Sequence, residues 1–152
     1  DNKYTLAGTH YEHRILESLD ITMDFDKQII IDDLKLRVNL DGNTADCIYE
    51  CKTYKLENGF KMPQKYINQV QVQMFASDLR KAKIIVYGLK ESDYDNFFHD
   101  IDTDRRNEFS ITYDEKWIND VYLPKLKYLA ECLKEGRFPT QHKTLKKEGE
   151  KK

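Results

Sequence analysis

No apolar run in this chain approaches the ~20 residues that a membrane-spanning helix needs, and no secretory leader is visible. Cysteine is scarce. Cys47, Cys51 and Cys132 are an odd number at wide spacing, which argues against a disulfide framework and for a reducing compartment. Cys47 and Cys51 alone are too few for a structural zinc or an iron–sulfur cluster, which take about four ligands. An excess of one charge is also missing. Lysine and arginine number 25 against 27 acids, a net charge of -2. This counts against a non-specific DNA coat protein and leaves room for a local basic groove. Internal repeats and low-complexity linkers are absent.

What is present is an ordinary globular composition, 39% apolar and 34% charged over 152 residues. That length is enough for a real core. Residues 1–140 read as one domain. Residues 141–152, with Lys143, Lys146, Lys147, Lys151 and Lys152, read as a basic, solvated tail. The chain begins at Asp1 rather than at a methionine, which leaves room for residues upstream.

The apolar periodicity divides the chain into elements. Thr9 to about Leu19 reads as a helix with Thr9 as N-cap and Glu12 at capping-box spacing; Tyr11, Ile15, Leu16 and Leu19 form its stripe. Residues 21–40 carry strand-like runs. Among them, Leu34, Leu36, Val38 and Leu40 alternate with Lys35, Arg37 and Asn39. Asp41-Gly42-Asn43 is expected to be a hairpin turn. A strand follows, with Ala45, Cys47, Tyr49 and Cys51 on one face and Asp46, Ile48, Glu50 and Lys52 on an open one. Cys47 and Cys51 are expected to pack in the core. Asn58-Gly59 and Pro63 mark a loop, and Gln64 to Leu79 a second helix with Ile67, Val70, Met74 and Phe75 inward. Residues 83–88 form a buried strand. The acidic stretch 91–104 reads as solvated surface. Residues 108–113 are a further strand, and Asp114 caps a last helix that Gly136 and Pro139 stop. Its Trp117 reads as core rather than as a base-stacking platform. The class is α/β, a mixed sheet flanked by helices.

One constellation carries chemistry. Phosphodiester cleavage with Mg²⁺ or Mn²⁺ needs carboxylates around the ion and a cation near water and phosphate. Asp41, Glu50 and Lys52 supply them as Asp-x8-Glu-x-Lys, and the Cys51 carbonyl adds an oxygen. Alone this spacing is weak. Asp46 competes with Asp41, and Glu17 with Glu12, for the carboxylate roles. On the second helix Tyr66, Gln69, Val70 and Gln73 share a face. Two glutamines and a tyrosine there suit a lining for water, metal ligand or phosphate.

Four segments together are far more specific: Gly8-x-x-Tyr11-Glu12, Leu40-Asp41-Gly42, Glu50-Cys51-Lys52, and Tyr66-x-x-Gln69-Val70-Gln71-x-x-Met74. In order and spacing they resemble the PD-(D/E)xK nuclease superfamily, and within it the phage lambda exonuclease and YqaJ-like viral recombinase family. The resemblance covers about residues 8–88. It implies a restriction-endonuclease-like core and a Mg²⁺-dependent DNA exonuclease of phage or prophage recombination, with Mn²⁺ able to substitute. Glu12, Asp41, Glu50 and the Cys51 carbonyl would be metal ligands. Lys52 would activate water, Gln69 would line the site, and Tyr66 and Gln73 would meet substrate. It also implies duplex DNA ends as substrate and the cytoplasm of a bacterial host as location. Relatives include three-subunit rings that thread DNA, and a single-strand annealing protein is the implied partner. Leu40 stands where the family has proline, and only seven residues precede Gly8. Related nucleases carry histidine at the position of Glu12; His10 and His13 read as surface residues. The alternatives are a site- or structure-specific endonuclease of the same fold, or an inactive nucleic-acid-binding module.

Overall fold

The computed structural model describes residues 3–96 and 100–140; the basic tail lies outside the described residues. In chain order come α1 (Lys3–Glu17), β1 (Asp24–Ile31), β2 (Leu36–Asn43), β3 (Cys47–Lys55), α2 (Gln64–Ser77), β4 (Lys81–Leu89), β5 (Arg106–Thr112), α3 (Glu115–Trp117) and α4 (Leu123–Glu135). A π-helical turn, Ile118–Tyr122, joins the last two. Five strands form one sheet in sequence order. β3 runs parallel to β4, with Glu50 opposite Ile84 and Lys52 opposite Val86, while β2 and β5 pair antiparallel with their neighbours. The parallel pair is possible because α2 supplies the crossover.

The chain divides into two compact units. The first gathers residues up to Ile29 with Val38–Tyr113. The second gathers Ile30–Arg37 with residues from Asp114 onward, and within it α4 packs on the turn Asp32–Leu34. There Asp114 caps α3 by accepting from the Trp117 N–H at 2.9 Å, Trp117 stacks on Tyr122, and Gly136 ends α4 at φ 69.

In the first unit, strand alternation builds two cores. Cys47, Tyr49 and Cys51 join Ile85, Tyr87 and Leu89 beneath Tyr11, Ile15 and Leu16 of α1. Ile48, Ala82, Ile84 and Val86 face Val70 and Met74 of α2. Both faces of the central β3–β4 pair are therefore covered, and the face of Glu50 and Lys52 is roofed by α2, not open.

Three local expectations change. α1 begins at Lys3, so Gly8 and Thr9 are helix interior and Thr9 is no N-cap. Asp41, Gly42 and Asn43 belong to β2; the reversal falls on Thr44–Asp46, where the Thr44 N–H donates to the Cys47 carbonyl at 2.9 Å. Gly42 is needed for close approach rather than for a turn. A Cβ there would meet Met23 Sδ at 2.5 Å and Leu16 Cδ1 at 3.2 Å. The acidic stretch is not all solvated either. Asp93 is buried, paired with Arg105 at 2.6 Å, and accepts the Lys90 N–H at 2.7 Å.

Candidate active site

The site begins where β2 and β3 part. Their ladder pairs Asn43 with Ile48 and Gly42 with Tyr49. At the next step the Cys51 N–H donates to Asp41 Oδ2 at 2.9 Å, so a side chain stands in for a ladder carbonyl. This anchors Asp41 beside Glu50, and their carboxyl groups interact directly. Glu50 is only 4% exposed. Both its oxygens are held from α2: Gln69 Nε2 donates to Oε2 at 3.1 Å and Gln73 Nε2 to Oε1 at 2.9 Å. Lys52 Nζ lies 3.4 Å from Glu50 Oε2 and 4.7 Å from the centre of the Tyr66 ring.

Burial dominates the electrostatics. Desolvation, then the Asp41 charge, pushes Glu50 up to about 7; hydrogen bonding from Gln73 and the Lys52 charge oppose this. Glu12 is likewise raised to about 7, first by desolvation and then by Asp41, with Lys52 opposing. Asp41 is raised by desolvation, partly offset by the Cys51 N–H. A buried carboxyl pair of this kind holds a proton or a cation between its members. Hard oxygen donors of this set suit Mg²⁺, which is commonly bound by one or two carboxylates with the rest of its shell filled by water. Among the described residues no group of three His, Cys, Asp or Glu side chains is placed to hold a metal ion. Glu12 couples to Asp41 by charge.

The structure thus brings together Glu12, Asp41, Glu50, Lys52, Tyr66, Gln69 and Gln73. Gln73 is placed otherwise than expected for a substrate contact. It is buried behind Glu50, with its amide nitrogen donating to Glu50 and to the Asn39 carbonyl at 3.1 Å. The Cys51 side chain packs in the α1 core, where burial and then the charges of Asp41, Glu12 and Glu50 push its thiol well up. Asp46 is exposed in the turn, bonded to Thr44, and Glu17 is exposed. Sequence reasoning missed Asp26. It pairs with His13 at 2.9 Å and adds its charge to Glu12 and Asp41. A carboxylate at an unusual positive φ of 57 within a strand leaves no mark in the sequence pattern.

A mixed sheet with helices on both faces, splayed at an acid–acid–lysine set, defines an α/β fold of nuclease type. Among solved structures the fold is that of an alkaline exonuclease from Laribacter hongkongensis, at TM-score 0.56 and 18% identity over 87% of this chain and 71% of that one. The same enzyme in complex with dAMP matches at TM-score 0.60 and 19% identity, over 90% and 74%. A phage-related exonuclease from Haemophilus somnus 129PT matches at TM-score 0.61 and 19% identity, over 86% and 69%. At such identities the likeness is one of fold. No protein-family profile matches the sequence, and no curated protein matches it. Among the described residues no helix is long and apolar enough to cross a membrane.

Proposed function

We propose that this chain is a divalent-metal-dependent deoxyribonuclease that degrades DNA from its ends, in phage or prophage recombination. The observation that carries the reading is the desolvated Asp41–Glu50 pair with Lys52 Nζ 3.4 Å from Glu50. Burying such a pair is costly and serves no packing purpose. The fold shared with three exonuclease structures supports the same reading.

Asp41, Glu50 and the Cys51 carbonyl would hold Mg²⁺, or Mn²⁺ in its place, with Glu12 adding charge. When bound, the ion supplies Lewis acidity and neutralises charge that builds on the phosphate. The chain's residues do the rest. Gln69 and Gln73 fix both Glu50 oxygens, so the carboxylate cannot swing away. Tyr66 holds the Lys52 ammonium over its ring. Lys52 then orients the attacking water and offsets the developing negative charge on the phosphodiester. Assembly into a ring of copies and work beside a single-strand annealing protein belong to the same reading.

Digestion of linear against closed-circular duplex in Mg²⁺ tests it. Degradation of the linear form alone is expected. Cutting of the circle would move the reading to an endonuclease, and intact DNA in both forms would leave a binding module.

A further inference from the structure

Beside the carboxylates lies a group of residues that the proposed chemistry does not use. Gly42, lacking a side chain, lets Met23 and Asp24 cross β2 closely; a Cβ there would stand 2.5 Å from Met23 Sδ and 3.6 Å from the Asp24 carbonyl. The connection between β1 and β2 is too short for a crossover, so the two strands run antiparallel. Gln28 Nε2 donates to Asn39 Oδ1 at 3.2 Å, which sets these residues side by side. Further back along β1, Asp26 lies near enough to Asp41 and Glu12 to act on both through its charge. Asp26 adopts φ 57, a strained backbone for a residue within a strand. Its carboxylate takes His13 Nε2 at 2.9 Å, and His13, next to Glu12 on α1, lies 4.8 Å from the Phe25 ring at a 46° tilt. Phe25 stays 36% exposed and lines a cavity of about 350 Å³ with Glu17, Asp20, Ile21, Thr22 and Met23.

A residue at positive φ, a solvent-exposed His13–Asp26 contact and a partly exposed aromatic ring together contribute little to folding. Ile21, Met23 and Phe25 give the cavity one apolar side, which accepts a flat ring. We propose that Phe25, backed by His13, is a stacking platform for the nucleobase next to the scissile phosphate. The proposal rests on the nuclease reading for the identity of its ligand. Base–aromatic stacking is sequence-tolerant, so the platform grips any end without reading it.

The test uses the full chain and linear duplexes with a normal or an abasic residue at either terminus of one strand. Cleavage is measured in Mg²⁺, and Kd for the same duplexes with Ca²⁺ in its place. The wild type is expected to disfavour the abasic end on the order of 10-fold. Phe25→Trp should keep that discrimination, and Phe25→Leu should lose it with an unchanged melting temperature. Retained discrimination in Phe25→Leu, or none in the wild type, overturns the platform. Base-discriminating binding without cleavage overturns the nuclease reading and leaves the platform standing.

Discussion

Glu50 and Cys51 are chain neighbours on β3 and are almost equally buried, at 4% and 2% exposure. Their faces differ completely. Beneath α1, Cys51 sits among Tyr11, Ile15, Leu16, Ile85 and Tyr87, where burial of apolar surface stabilises the fold. Beneath α2, Glu50 sits against Asp41, two glutamines and a lysine, where burial raises its pKa. One face buries apolar surface; the other buries charge that packing does not need and that the proposed function would use. The division is sharp because strand alternation sends adjacent residues to opposite sides.

Substitutions should separate the two faces. The largest effect is expected for Glu50→Gln. DNA turnover should fall at least ~10³-fold, while the metal-free chain melts at the same or a higher temperature. Activity within tenfold of wild type would blur the contrast. Ile85→Ala, on the α1 face, should do the reverse. Urea unfolding should show a loss of ~2–5 kcal/mol, with turnover per folded molecule unchanged.

A pH series sharpens the comparison further. Glu50 ordinarily titrates near 4.5 and is raised to about 7 in the fold. The folded chain thus holds a proton that the unfolded chain has released between those values. The stability tied to that proton is full below pH 4.5 and is lost as pH rises through 7. Metal-free wild type should therefore lose melting temperature relative to Glu50→Gln between pH 5 and about 8, and Mg²⁺ at pH 8 should restore it. An opposite slope would place Glu50 in an ion pair rather than in a desolvated acid pair. The smallest effect is expected for Gln69→Ala. Loss of one hydrogen bond to Glu50 should lower turnover about fivefold, near 1 kcal/mol, with stability little changed.

Much of this was legible in the residues. Alternation predicted the strand through Glu50 and both cysteines in the core, and helical spacing put Gln69 and Gln73 on one face of α2. What escaped was set by long-range packing. Nothing local says that α2 roofs the face of Glu50, which turns Gln73 from an expected substrate contact into a buried clamp. Asp-Gly-Asn has strong turn chemistry, yet the approach of Met23 claims Gly42 for a strand. Asp93 looked like one acid of a solvated run because its partner, Arg105, is twelve residues away. Asp26 and Phe25 escaped for the same reason, since their meaning depends on His13 and Asp41.

Under the proposed function, Glu50 would bind the divalent ion and Lys52 would serve turnover of the phosphodiester. The most direct measurement pairs Mn²⁺ titration with digestion of end-labelled linear duplex for wild type and Lys52→Ala. The predicted result is digestion by wild type alone, with Mn²⁺ bound by both at similar affinity. Equal digestion by both proteins, or intact DNA with both, would contradict it.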